Sequence, residues 1–270
     1  MLTVIVPIYN NKRTVERCLL SILSSNQVVS VVVVDDGSSD GGLDFISDKF
    51  RKNIVLGKVK LLKKINGGVS SARNIGLKYV STDYFTFVDA DDWVDSDVLD
   101  DLMVNRVYPS GKDVIATPVK GKKCKEIKGD KLISYSLKCM AIGDWPFSVC
   151  SSIFNSRLLT SQVYFDERYK HGEDIGFLLM AMTRGSIESI DKAYYYYDTT
   201  ESTATSYSDG LEGLGYVSII SKKAFFANHG AETMFYSFLV IFKSFFMSVI
   251  INFKRRCPLK ILYFFNSFFE

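Results

Sequence analysis

The sequence predicts an α/β fold with a mostly parallel central sheet, followed by an aromatic-rich helical extension. Short apolar strands alternate with segments of helical periodicity over roughly the first 90 residues, which is typical of parallel sheets covered by helices. Polar clusters directly follow three of these strands, at the edge where such sheets bind ligands. Phenylalanine becomes crowded after about residue 224, and this change of composition indicates a boundary.

Each predicted element follows from its periodicity and its flanking turns. The predicted strands are short apolar runs at residues 2–7, 28–34, 59–62, 84–88 and 194–197. The predicted helices carry apolar residues at helical spacing or follow a turn, at residues 14–25, 42–50, from about 70, and 175–182. The lysine- and glycine-rich stretch 120–131 is predicted to be a solvated loop or hairpin, and residues 113–152 carry no recognisable motif.

Composition limits the class of protein. With 270 residues and 47% hydrophobic side chains, the chain can bury one large α/β domain, with or without an appendage. A net charge of +3 creates no overall field favouring nucleic acid, so no nucleic-acid partner is expected. Five cysteines without a CxxC pair fit a reducing cytosol, and the N-terminal residues show no secretion leader, so a cytoplasmic location is expected.

An aspartate cluster follows the strand at residues 84–88. Asp89, Asp91 and Asp92 repel one another at the end of a buried strand unless a cation is present, and carboxylate oxygens suit Mg²⁺ or Mn²⁺. Such an ion can bridge a diphosphate and neutralise the charge of a departing phosphate. The alternative is an aspartate-rich turn that caps the next helix. Asp95 and Asp97 fit that alternative better.

A second group of polar residues surrounds a glycine pair. Asp36 ends the strand at residues 28–34, where its carboxylate can accept hydrogen bonds from a base or ribose, or simply shape a turn. Gly67 and Gly68 permit close backbone approach to a ligand but lack the spacing of a phosphate-binding loop. Arg73 is suited to nucleotide or phosphate recognition, although a helical arginine is often only a surface charge.

Two acidic residues precede the helix at 175–182. Glu173 and Asp174 can be caps for the helix dipole, or one of them can be a general base for an acceptor hydroxyl. His171 lies two residues before Glu173 and is a weaker candidate for a metal or acceptor contact.

Five segments occur in an order that resembles the family 2 glycosyltransferases. They are TVIVPIYN at residues 3–10, VVVVDDGSSD at 31–40, NGGVSSARNIG at 66–76, DADD at 89–92 and GED at 172–174. The resemblance covers about residues 2–205. It implies a GT-A nucleotide-sugar-binding fold and an inverting enzyme that builds bacterial surface polysaccharides.

The resemblance also implies roles for individual residues. The implied nucleotide-sugar contacts are Pro7, Tyr9, Asp36, Arg73, Asp89 and Ala90. Asp89 and Asp91 match the DxD motif that binds Mn²⁺ or Mg²⁺, and Asp174 matches the catalytic base. The expected donor is a UDP-hexose or UDP-N-acetylhexosamine, and the expected acceptor is a glycan or a polyprenyl-diphosphate-linked oligosaccharide. The catalytic domain would span residues 1–210, with a nucleotide-binding half to about 110 and an acceptor half after it.

One position departs from the family pattern. Members that make surface polysaccharides often carry an arginine after the tyrosine-rich strand, in a loop that closes on the diphosphate. Here Asp198 follows Tyr197. Closure would then depend on Ser202, Thr203 or Thr205, or on a cation from another part of the chain.

The C-terminal extension, residues 211–270, has an amphipathic pattern. Between residues 234 and 253 the polar side chains fall near one helical stripe, and basic residues follow at 254–256. This predicts a helix lying on an anionic membrane surface, and hence a peripheral location on the inner face of the cell membrane. A spanning helix, or packing on the catalytic domain or a partner subunit, are the alternatives.

Three functions remain open from the sequence alone. The leading hypothesis is a metal-dependent glycosyltransferase. The first alternative is a non-catalytic nucleotide-sugar-binding or assembly subunit, against which the intact Asp89, Asp91 and Asp174 argue. The second is a nucleotidyltransferase, which would need a phosphate-binding loop near the N-terminus. The turn at residues 7–11 lacks the glycines for one.

Overall fold

The computed structural model describes residues 1–142, 144–198 and 235–242. Within these ranges the strands are β1 (Leu2–Ile8), β2 (Val28–Asp35), β3 (Val59–Lys63), β4 (Tyr84–Phe87), β5 (Trp93–Val94), β6 (Val114–Pro118), β7 (Phe147–Asn155), β8 (Ile187–Ser189) and β9 (Tyr195–Tyr196). The helices are α1 (Val15–Leu23), α2 (Gly42–Lys49), α3 (Arg51–Val55), α4 (Val69–Leu77), α5 (Ser96–Leu102), α6 (Tyr108–Ser110), α7 (Lys131–Ile142), α8 (Arg157–Thr160), α9 (Glu173–Arg184) and α10 (235–242). A π-helical turn, Met103–Val107, links α5 to α6.

A seven-stranded sheet organises the chain in the order β3-β2-β1-β4-β7-β6-β8. Strands β3, β2, β1 and β4 are parallel neighbours, and β6 is parallel to β8. Only β7 runs against its neighbours β4 and β6 in the described part of this sheet. The predicted mostly parallel sheet is therefore confirmed, and it continues without interruption across the predicted division at about residue 110.

The first half of the sheet is built from apolar runs that pack on helices. All seven residues of β1 are buried, as expected for a strand covered on both faces. Helix α4 packs closely on β1 through Gly76. A β-carbon at Gly76 would come within 2.4 Å of Ile5 Cγ2. The absence of a side chain at residue 76 therefore sets how close α4 lies to the sheet.

The second half contains elements that the sequence did not predict. Strands β6 and β7 and helix α7 lie in or next to the motif-free stretch, and the exposed connection at 120–130 matches the predicted loop. Helix α9 begins at Glu173, so both predicted acidic residues lie in its first turn. The predicted strand at 194–197 forms the short β9, which pairs with β5 in a separate two-stranded sheet.

The C-terminal extension is described only at α10. Val240 and Ser237 are buried, and the Lys138 ammonium lies 5.9 Å from the ring centre of Tyr236, so this side of α10 packs on the body of the fold next to α7. The rest of the predicted extension, together with Ser202, Thr203 and Thr205, lies outside the described residues. Among the helices described, none has both the length and the apolar character that a membrane crossing requires.

Candidate active site

The candidate site lies at the carboxyl ends of β1, β2 and β4. Because these three strands are parallel neighbours, the residues that follow them emerge at one edge of the sheet. Tyr9, Asp36 and Asp89 occupy those positions. The first turns of α4 and α9 approach the same edge, since Arg73 of α4 contacts both Asp89 and Asp174.

Asp36 organises the glycine loop. One oxygen of its carboxylate accepts hydrogen bonds from the Lys64 ammonium and from the Gly67 N–H at 2.9 Å, and the other accepts from the Gly68 N–H at 2.8 Å. Gly68 has a φ of 90°, a conformation that side chains disfavour. Asp36 is predicted to accept a hydrogen bond from the nucleobase of the ligand. The glycine loop already holds its carboxylate in place for that contact.

Arg73 is the centre of the site. Its guanidinium donates to Asp174 and, at 2.8 Å, to an oxygen of Asp89, and it lies 5.2 Å from the ring centre of Phe165. Glu173 adds a third carboxylate, with its oxygen 3.9 Å from Arg73. The Arg73 side chain is 3% exposed, so these carboxylates provide the charge compensation that a buried cation needs.

The charges in this centre shift one another's pKa values. Burial lowers the pKa of Arg73, but the carboxylates of Asp174 and Asp89 more than offset it, and the guanidinium stays charged. Burial raises the pKa of Asp174, and Arg73 opposes that rise. For Glu173, burial and the nearby charge of Asp174 raise the pKa to about 7. A carboxyl group that exchanges a proton near neutral pH thus borders the predicted base.

The aspartate turn after β4 divides its three carboxylates between two roles. Asp92 is fully buried, and it accepts hydrogen bonds from the Tyr195 hydroxyl and from the Asp198 N–H at 2.8 Å. Burial raises the pKa of Asp92 to about 7. Asp92 therefore attaches β9 to the turn, whereas Asp89 and Asp91 remain partly exposed toward the site.

A cavity of about 470 Å³ lies beside Asp91. Its wall is formed by the turn after β1 and by two acidic residues: Asn10, Asn11, Lys12, Arg13, Thr14, Asp40 and Asp91. Burial and the charge of Asp89 raise the pKa of Asp91. Lys12 and Arg13 provide positive charge that suits a phosphate. The charged form of Asp91 is disfavoured, and a cation would stabilise it, so the cavity suits a ligand that carries both phosphate and a cation.

The residues present fit a divalent metal that binds together with a phosphate ligand. In the described ranges no group of three or more acidic, histidine or cysteine side chains is arranged to hold a metal. Mg²⁺ and its relatives are commonly held by one or two carboxylates plus substrate phosphates, without a full protein cage. Asp89 and Asp91 supply those two carboxylates, and their mutual repulsion would be relieved by a cation.

The remaining predicted residues are spread around this centre. Pro7 is buried in β1, Ala90 is 3% exposed in the aspartate turn, and Tyr9 is 52% exposed at the end of β1. His171 is half-buried just before α9, and no hydrogen bond or ion pair among the described residues joins it to Arg73.

Three contributors were not predicted: Lys64, Arg17 and Tyr195. Lys64 follows β3 and so lies at the same sheet edge as Asp36, a position that strand order could have indicated. Arg17 lies on α1, where its periodicity gives no hint that it reaches the aspartate turn. Tyr195 lies in a predicted strand, but its hydroxyl contact with Asp92 joins segments that are far apart in sequence.

This fold and this arrangement of the site define an α/β protein of the GT-A-like class. The family model for glycosyl transferase family 2 matches residues 3–172, and the chain belongs to that family. A relative is the poly(ribitol-phosphate) β-N-acetylglucosaminyltransferase TarS of Staphylococcus aureus, 29% identical over 202 residues, which are 72% of this chain and 35% of TarS. The chain thus spans about a third of that protein.

Solved structures share the fold. The crystal structure of S. aureus TarS 1-349 in complex with UDP-GlcNAc matches with a TM-score of 0.74 and 22% identity, over 99% of this chain and 80% of that one. The mannosyltransferase PcManGT from Pyrobaculum calidifontis, in complex with GDP-Man and Mn²⁺, matches with a TM-score of 0.62 and 14% identity, over 98% of this chain and 73% of that one. Both likenesses confirm the GT-A-like architecture.

Proposed function

We propose that this chain is a metal-dependent, inverting glycosyltransferase that moves a hexose or N-acetylhexosamine from a UDP-sugar to an acceptor hydroxyl. The acceptor is a glycan or lipid-linked oligosaccharide of a bacterial surface polymer. One observation carries the proposal: the Arg73 guanidinium forms ion pairs with both Asp89 of the DxD motif and the predicted catalytic base Asp174. Donor-binding and proton-accepting groups are thereby brought to one place.

The arrangement supports a direct displacement. Asp174 takes the proton of the acceptor hydroxyl, whose oxygen attacks the anomeric carbon while the bond to the diphosphate oxygen breaks. Arg73 donates to one oxygen, Oδ1, of Asp174 and orients the carboxylate. A divalent metal at Asp89 and Asp91 would supply charge neutralisation for the departing nucleoside diphosphate.

The choice of donor and metal is supported by the relatives. TarS is named as an N-acetylglucosaminyltransferase, and its matching structure holds UDP-GlcNAc. The PcManGT complex holds Mn²⁺. TarS acts on poly(ribitol-phosphate), so a teichoic-acid-like polymer belongs in the acceptor panel beside capsule and O-antigen oligosaccharides.

The test separates donor binding from transfer in Asp174→Asn. Wild-type protein with Mn²⁺ and a UDP-sugar should release UDP when a suitable acceptor is present. D174N should bind UDP within about threefold of wild type, because the amide still accepts from Arg73, but should lose about 10³-fold or more in kcat. D97N is the matched control, since Asp97 is an exposed carboxylate in the first turn of α5. Near-normal turnover by D174N would overturn the assignment of the base.

We also propose that the chain associates with the inner face of the cell membrane. The support is the outward side of α10, where Phe235, Phe238 and Phe242 are 58%, 57% and 50% exposed while Val240 packs inward. Bulky aromatic side chains on one face of a helix favour the boundary between headgroups and acyl chains. This location would bring the active site to lipid-linked acceptors.

Vesicle sedimentation tests the location. Replacing Phe235, Phe238 and Phe242 by serine should lower co-sedimentation with vesicles containing phosphatidylglycerol about fivefold or more. The double variant V55S/L56S is the control, because Val55 and Leu56 are 78% and 71% exposed on another part of the surface. Equal binding by the triple variant and wild type would exclude α10 as the docking element.

A further inference from the structure

A buried carboxylate stands where the family pattern places an arginine. Asp198 follows β9, and its side chain is only 8% exposed. An ionised carboxylate at that depth needs a charged partner or several hydrogen bonds. Asp198 is paired with Arg17 of α1, whose Nη2 lies 2.5 Å from Asp198 Oδ2 although the two residues are 181 positions apart in sequence.

The same guanidinium nitrogen also makes a hydrogen bond to the aspartate turn, residues 89–92. Arg17 Nη2 donates to the backbone carbonyl of Asp91 at 2.6 Å. Its guanidinium carbon lies 4.2 Å from the ring centre of Trp93, which follows the turn. Two hydrogen-bond acceptors and an aromatic ring therefore fix the guanidinium, and a lysine would lack its reach and its planar contact with Trp93.

Asp198 holds the turn at a second point. Its backbone N–H donates to Asp92 at 2.8 Å, while its carboxylate reaches Asp91 through Arg17. Helix α1 adds a further contact, because the Ser21 hydroxyl accepts from the Val94 N–H at 3.1 Å. The peptide of Asp91 is thus held from both α1 and the end of β9.

We propose that Arg17 is a positioning residue for Asp91, and that Asp198 orients the Arg17 guanidinium for this role. Arg17 then supplies a cation to this part of the site from α1. The inference rests on the proposed function for its kinetic consequences, but its effect on ligand binding can be measured without turnover.

The pair should act on binding more than on chemistry. Without Arg17 the Asp91 carbonyl loses this donor, and the Asp198 carboxylate near Asp91 loses the charge compensation that Arg17 provides. The Asp91 carboxylate, which is proposed to bind the metal, would then be less well oriented. It would also be repelled more strongly by Asp198. Loss of a residue that supports a metal ligand typically costs about 10–100-fold in metal affinity.

A double-mutant cycle is the test, with Mn²⁺-dependent UDP binding measured by calorimetry. R17A should weaken binding about 10-fold or more, and D198A about 5-fold, and the double variant should be no weaker than R17A. R17K should stay close to R17A, because the shorter lysine side chain ends in a compact ammonium and presents no planar group to Trp93. R51A, an exposed arginine change on α3, is the control and should bind like wild type.

Turnover adds the second readout. R17A should raise the KM for the UDP-sugar by a similar factor, while kcat at saturating donor and Mn²⁺ falls less than about threefold. Additive losses in the cycle, or wild-type binding by R17A with an unchanged melting temperature, would overturn the inference. If R17A melts early, R17K and D198N carry the same comparison. Wild-type protein that binds UDP with the predicted coupling but transfers no sugar would instead refute the proposed function.

Discussion

The guanidinium of Arg73 donates a hydrogen bond to the carboxylate of Asp174, and this contact joins the first turn of α9 to helix α4. The same guanidinium bonds Asp89 at 2.8 Å, so the predicted base and the first DxD carboxylate share one buried cation. The planar guanidinium of Arg73 therefore helps to set the relative position of the two carboxylates, in addition to the backbone segments that carry them.

Arg73→Lys should disrupt this centre while keeping its charge. A lysine ammonium is a point charge on a flexible stem and cannot reproduce two directed bonds to carboxylates on different elements. We expect kcat/KM to fall about 10²-fold. R157K is the control, because Arg157 makes a surface pair with Asp113 and its side chain is 65% exposed. Full activity in R73K would mean that charge alone suffices.

Asp91→Asn should change the metal requirement. The amide removes one of the two carboxylates that fit a divalent ion, and it also removes repulsion between Asp91 and Asp89. We therefore expect Mn²⁺-stimulated turnover to fall about 10²-fold or more, together with weaker UDP binding in the presence of Mn²⁺. Binding of UDP without metal should change little. A Mn²⁺ titration of D91N against D97N measures the difference, and identical titrations would contradict a metal role for Asp91.

Glu173 should make stability depend on pH in the neutral range. Its pKa is about 7 in the folded chain, against an ordinary value of 4.5. The folded state then binds more protons than the unfolded state between about pH 4.5 and 7, so stability falls as pH rises through that window. E173Q cannot ionise, and its melting temperature relative to wild type should rise from pH 5 to pH 7 and then level off. A constant difference across this range would show that Glu173 titrates normally.

Much of the first half of the fold was predictable from local patterns. Strands β1 to β4 are short and mostly apolar, and α1, α2 and α4 lie between them with clear periodicity or turn signals. The polar residues that end these strands meet because parallel strands share one edge. Assigning Asp36 and Asp89 to one edge of the sheet thus needed only strand direction, and both residues follow strands that run parallel to β1.

The stretch between α6 and α8 was not predictable for a physical reason. Strand β7 has the sequence FSVCSSIFN, in which Ser151 and Ser152 are fully buried and satisfied by hydrogen bonds to backbone carbonyls. Hydrophobic periodicity fails where hydroxyls replace apolar side chains in a core. Likewise, the Arg17–Asp198 pair depends on a contact across 181 residues, which no local pattern encodes.

Tyr195→Phe and Tyr194→Phe should separate stability from ligand binding. The Tyr195 hydroxyl donates to Asp92, whereas the Tyr194 hydroxyl lies 3.1 Å from the Thr86 hydroxyl and donates to a backbone carbonyl. Each change should cost about 1–3 kcal/mol, because each leaves a buried polar group short of a partner. Only Y195F also loosens the aspartate turn.

Thermal melts and Mn²⁺-dependent UDP binding measure these two effects. We expect both variants to melt earlier and only Y195F to bind UDP more weakly, by about fivefold or more. Equal loss of binding in the two variants would mean that the effect comes from general destabilisation and not from the turn.

Gly76→Ala should displace the helix that carries Arg73. The new β-carbon would lie 2.4 Å from Ile5 Cγ2, far inside contact distance, so α4 must move away from β1. Overpacking of this kind costs about 1–3 kcal/mol, which exceeds the gain of about 1 kcal/mol from helix propensity. In an I5A background the obstructing Cγ2 is gone, so the added cost of G76A should nearly vanish. I5V keeps a γ-methyl group and should give no such relief. Chemical denaturation of the variants measures the coupling, and equal costs of G76A in the wild-type and I5A backgrounds would show that Ile5 does not set the spacing between α4 and the sheet.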